Sequence, residues 1–285
     1  MIGAFFVILA HAAAALLLSW GYFQHYPITR PPIGVFNLWD IAIMIGGIVL
    51  VPYLYLALPL WPVAGLLAVG VLSALYFLLE PVLRSRAAVW CATMILAVAD
   101  FGTAHIFGAT SALFFVVNNV VLILVIVAIT NLWAQSGMKA RDVAVLAGML
   151  AVYDFIATWQ LPLMSDMFGR LAGLPFAPLV VWQVGDPDLW LAIGLGDLLI
   201  AAVFPLAVCK AFGRTAGRMA LAIGLACTGV VLALSILGVA RATFPVMIVL
   251  GPLTVLQYLV YRRRHGSERT TWQYLKQEVS LSDSK

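Results

Sequence analysis

Apolar residues in this chain gather into long runs separated by short polar stretches. Nine runs have helix length, at roughly 2–22, 37–58, 62–80, 87–107, 110–133, 142–162, 190–210, 216–238 and 243–261. A helix crosses a hydrocarbon layer of about 30 Å in about 20 residues, and backbone groups in lipid must be paired internally, so each run predicts a transmembrane helix. Pro59 and Pro62 mark the turn between the second and third, since proline interrupts helix continuation. The first run lacks a basic leader and is long enough to span, which predicts a retained helix and not a cleaved signal. One stretch breaks the pattern. From about 163 to 189 the chain is too apolar for a free aqueous loop and too interrupted by Pro and Gly for a clean span, which predicts an interfacial or re-entrant connection.

Composition agrees with the runs. Of 285 residues, 64% are hydrophobic and 10% charged, and the mean hydropathy is +1.06. Sixteen Lys plus Arg and twelve Asp plus Glu cannot coat so large an apolar mass, so lipid has to cover the rest. The fold class expected is an all-α polytopic membrane protein of about nine helices. The net charge of +4 does not point to nucleic acid, because the basic residues sit in short clusters between runs. Arg30, Arg84 and Arg86, Lys139 and Arg141, Lys210 and Arg214, and Arg262 to Arg264 fall on one side; Arg170 and Arg241 alone fall on the other. Basic loops stay inside, which predicts an external N-terminus, a cytoplasmic C-terminus and an external 163–189 connection. The chain then divides into an N-terminal bundle (1–135), a second membrane region (136–262) and a polar cytoplasmic tail (263–285). Cys91, Cys209 and Cys227 lack paired spacing, and His11 and His105 lack a partner at ligand spacing, so no metal or cofactor is expected.

Ionisable residues inside spans are costly and therefore candidates for function. Asp100, Asp154 and Asp197 lie deepest, while Asp40, Glu80 and Asp142 sit near span ends. At 1.5 Å per residue, Asp154 lies about 18 Å along the sixth span and Asp197 about 10 Å into the seventh from the opposite boundary, which brings the two carboxylates to a common depth. Asp100 reaches nearly the same level, but Asn118 and Asn119 do too, so a structural contact between Asp100 and these amides is expected.

Local sequence separates the candidates. Asp154 follows Tyr153, and Asp197 closes Gly194-Leu195-Gly196-Asp197. Together, on consecutive spans, these resemble the Tyr-Asp and Gly-x-Gly-Asp motifs of the presenilin and signal peptide peptidase family of intramembrane aspartyl proteases. A third family motif, Pro-Ala-Leu on the last span, is matched in part by Pro245-Val246-Met247. The resemblance runs from about Val143 to Val260 and implies a presenilin-like fold, Asp154 and Asp197 as catalytic residues and Pro245, Val246 and Met247 as substrate contacts. It further implies transmembrane peptides or proteins as substrates, type II or signal-peptide-like given the orientation, cut in a membrane that the compact length suggests is a prokaryotic cell membrane. In such a dyad one carboxylate takes a proton from water while the other donates a hydrogen bond to the carbonyl. Glycines before Asp197 let a substrate strand approach without meeting a Cβ. Other readings stay open: a proton-coupled transporter or channel using the three aspartates, or a family member without activity. A prepilin peptidase is disfavoured because Leu198 and Leu199 follow the motif, and a retinal protein because no lysine lies in mid-span.

Overall fold

The computed structural model describes residues 2–28, 38–161, 163–171, 173–184, 186–237 and 246–268. Arg30, Arg241, Pro245 and the tail beyond 268 lie outside the described residues. The chain is a helical, multi-pass membrane protein. Seven of its helices are long and apolar enough to cross a membrane: α1 (Ile2–His25), α2 (Leu38–Ala57), α3 (Leu60–Leu83), α4 (Arg86–Ile106), α5 (Ala112–Gln135), α8 (Leu195–Phe212) and α9 (Arg214–Ile236). Two more long helices complete the set, α6 (Ala140–Phe155), continued by a π turn over Ile156–Gln160, and α10 (Met247–His265).

The centre of the bundle is α5 and α8, whose apolar side chains are mostly buried, with α1 packed across both. Large side chains elsewhere point outward, among them Ile43, Val69, Val98 and Val230. Water would not tolerate so many exposed aliphatic groups in one belt, whereas lipid covers them at no cost. The helix between Pro59 and Pro62 begins where proline allows it. Pro59 is the residue before α3 and Pro62 falls in its first turn, where the missing N–H has no helical partner to lose.

Helix ends are brought together by side chains. Lys210, in the last turn of α8, donates to the Ala134 carbonyl near the end of α5 at 2.7 Å. Glu268, just past α10, accepts the Ala140 and Arg141 amides at the start of α6 at 2.8 and 3.2 Å. The connection between α5 and α6 and the ends of α8 and α10 thus share one end of the bundle.

The connection after α6 is more structured than an interfacial loop. A short amphipathic helix, α7 (Leu163–Leu171), buries Leu163, Met167 and Leu171 at helical spacing. Its Arg170 donates to the Leu56 and Leu58 carbonyls at 2.6 and 2.5 Å and so closes the end of α2. A β-hairpin follows, β1 (Leu179–Val184) antiparallel to β2 (Asp186–Gly194). The hairpin departs from the sequence expectation. Residues 190–194 read as the start of the seventh span but belong to β2, and the helix begins only at Leu195. A short apolar run serves equally well as buried strand or helix, and here Gly194 breaks the run in two.

Candidate active site

Gly194 to Asp197 form the first turn of α8. Gly194 is the N-cap and Asp197 the third helical residue. An acid at that position reaches back to the N-cap amide, as in half of a capping box, and sits at the positive end of the helix dipole. The Asp197 carboxylate accepts the Gly194 N–H and also the Met247 N–H at the start of α10. This corrects the depth estimate: Asp197 is not seven residues into a helix but at its tip, below a strand, because the chain reaches that depth in extended form.

Asp154 stands one residue before the end of α6, where the helix widens into the π turn and the Leu161 N–H reaches back to the Ile156 carbonyl at 3.0 Å. Such π segments cluster at functional sites because they re-aim side chains without ending the helix. Helix α6 is held in place by α10. A Cβ added at Gly251 would fall 2.5 Å from the Ala147 carbonyl oxygen and 2.7 Å from the Ala151 Cβ, so the two helices touch backbone to backbone there.

Asp154 and Asp197 both line one cavity of about 550 Å³ and lie close enough to feel each other's charge. Its walls come from α2 (Met44, Ile48, Tyr55), α6 (Leu150, Tyr153), α7 (Met164, Met167), α8 (Leu195, Gly196) and α10 (Val246, Met247). The lining is apolar apart from the two carboxylates and a few hydroxyls. The Tyr153 hydroxyl is buried and has no hydrogen-bond partner among the described residues. Of the residues singled out in the sequence, Tyr153, Asp154, Gly194, Leu195, Gly196, Asp197, Val246 and Met247 therefore converge on one cavity. Beyond Gly196 there is open space where a Cβ would stand, while a Cβ on Gly194 would lie 3.4 Å from the Asp197 Oδ2.

The hairpin forms another wall through Ala192 and Gly194. Val181 lies opposite Ala192. The Val181 N–H donates to the Asn119 Oδ1 at 3.0 Å, and the Asn119 Nδ2 donates to the Val181 carbonyl at 2.9 Å. Both polar groups of Val181 thus face away from β2, which makes Val181 and Ala192 a pair without mutual hydrogen bonds. Ala192 must turn its own N–H and C=O to the outer edge of β2, on the cavity side.

Asp100 is fully buried and is not among the residues that line this cavity. Its Oδ2 accepts the Phe176 N–H at 2.7 Å, where Phe176 has a φ of 62°. Asn118 and Asn119 were expected to bond Asp100, and they do not. Asn118 donates to the Ala177 and Leu179 carbonyls at 3.3 and 3.4 Å. All three side chains bind backbone of the hairpin or of the segment leading into it, which has more orphan groups to satisfy inside the bundle than another side chain would. The role of Asn119 was hidden in the sequence because its partner is the backbone of a strand that no periodicity announced. His11 and His105 each bond the carbonyl four residues before them, and no group of three potential metal ligands occurs among the described residues.

These features define a class: a multi-pass helical membrane protein with two carboxylates, from helices flanking a hairpin, facing one apolar cavity. No protein-family model matches the chain, and no curated protein matches its sequence.

Proposed function

We propose that the protein is an intramembrane aspartyl protease of the presenilin and signal peptide peptidase type. The observation that carries this reading is the meeting of Asp154 and Asp197 in one cavity that is also bordered by a strand, β2, whose outer edge no other strand pairs among the described residues. In this reading α6 with its π turn and α10 are the sixth and ninth spans, the N-terminus is external and the C-terminus cytoplasmic.

Peptide hydrolysis at such a site needs no metal and no covalent intermediate. Two close carboxylates hold one proton between them. The ionised aspartate takes a proton from a water molecule as the water oxygen attacks the substrate carbonyl carbon. The neutral aspartate gives its proton to the carbonyl oxygen, forming a gem-diol. Collapse of the diol breaks the C–N bond, the amine leaves with a proton, and the dyad again holds one. The Gly194 and Met247 amides orient Asp197 through this cycle.

A helix hides its amides from such a water, so the substrate has to unwind, and its freed backbone groups need partners in an apolar setting. The outer edge of β2 at Ala192 supplies them by strand addition beside Asp197. Val246 and Met247 form the facing wall. Substrates are transmembrane peptides or proteins, of type II orientation under the proposed topology. The three-aspartate relay of a transporter is disfavoured because Asp100 is not among the residues lining the cavity that holds Asp154 and Asp197.

The test is cleavage of a type II transmembrane peptide by purified protein in lipid. Asp154→Asn and Asp197→Asn should each lower the rate about a thousandfold or more, while Asp100→Asn, which still accepts the Phe176 N–H, retains it. Folded wild-type protein that cleaves none of several such peptides would overturn the reading.

A further inference from the structure

Resting on the proteolytic reading above, we propose that Asn119 on α5 is a positioning residue that sets the register of the substrate strand, and hence which peptide bond is cut. The argument starts from an edge. A two-stranded hairpin has two outer edges, and each presents alternate N–H and C=O groups that must find partners inside a membrane protein. On β1 the partner is the Asn119 carboxamide. It receives the Val181 N–H and donates to the Val181 carbonyl, as a neighbouring strand would, and it is fully buried. The β1 edge is therefore closed at its centre, while among the described residues no further strand pairs with the outer edge of β2.

The same contact fixes height. Val181 lies opposite Ala192, and Gly194, two residues further along β2, touches the Asp197 carboxylate. Pinning Val181 to α5 therefore pins the outward-facing groups of Ala192 relative to Asp197. Asp100 and Asn118 hold the backbone at Phe176 and Ala177, just before β1, and at Leu179, its first residue, but among the described residues only Asn119 engages both polar groups of one strand residue. Because pairing repeats every two residues, a hairpin freed from α5 offers alternative registers about two residues apart.

The test is mass analysis of the product ends released from a type II transmembrane peptide. With Asn119→Ala, the cut should spread to bonds about two residues from the wild-type position, whereas Asp100→Asn should keep the wild-type ends. If Asn119→Ala does not elute as a folded species, Asn119→Thr, which keeps one hydrogen-bonding group, is judged by the same criterion. A variant that cuts more slowly at the unchanged bond would mean that Asn119 only supports the fold, and would overturn the inference while leaving the protease reading intact. Absence of cleavage by wild type would instead remove the reading itself.

Discussion

Asp197 is held by its neighbours in sequence as much as by the fold. The Gly-x-Gly-Asp segment places a flexible residue at the N-cap and an acid at the third helical position, and the carboxylate closes on the Gly194 amide. Tyr153 has a different position, with a buried hydroxyl that bonds to nothing among the described residues. A buried unsatisfied donor in a cavity wall is costly unless a ligand completes it. If the Tyr153 hydroxyl bonds substrate in the transition state, Tyr153→Phe should keep the fold and lower kcat/KM by roughly tenfold, a loss of about 1.4 kcal/mol. An unchanged kcat/KM in steady-state cleavage assays would assign that hydroxyl no part in the reaction.

At the level of elements, the position of Asp154 depends on the contact of α6 with α10. Gly251 permits that contact, and any side chain there meets the Ala147 backbone. Gly251→Ala should therefore push the helices apart, costing about 1–3 kcal/mol and shifting Asp154, three residues beyond Ala151. Gly46, with open space around it, provides the control: Gly46→Ala should melt like wild type and keep its activity. Thermal melting in lipid together with the cleavage rate checks both. Both helix ends and hairpin are tied by single polar residues, Glu268 at the start of α6, Arg170 at the end of α2 and Asn119 at β1. In an apolar solvent such contacts are the cheapest way to satisfy backbone groups that neither helix nor sheet can pair.

At the scale of the whole molecule, the proposed activity rests on a pair of carboxylates brought from two helices, so its pH dependence would belong to the pair. Only the singly protonated dyad has both a base for water and an acid for the carbonyl. Cleavage should fall as pH drops and the second aspartate gains a proton, and fall again as pH rises and the shared proton is lost, giving a bell-shaped profile of kcat/KM. A profile that stays flat across the range over which the protein remains folded would show that the two carboxylates do not act as an acid and base pair. The cavity, apolar apart from its carboxylates and a few hydroxyls, would gather the proposed chemistry at one place in the bundle.

The amino-acid sequence by itself determined the helical, multi-pass character of the chain and the identity of the two converging aspartates. Twenty-residue apolar runs admit few other structures in lipid, and buried acids are too costly to be incidental. Tertiary structure decided what those patterns leave degenerate. The run at 190–194 is equally apolar as strand or helix, and it became a strand only because β1 lies beside it and Asn119 closes the edge beyond. Asp100, Asn118 and Asn119 looked like one polar contact because all three fall at one depth, yet depth says nothing of direction around a helix. Asn118 and Asn119 instead hold the backbone of a hairpin, and Asp100 that of the segment just before it. That hairpin exists only because three helices leave room for it, a condition that no single stretch of sequence contains.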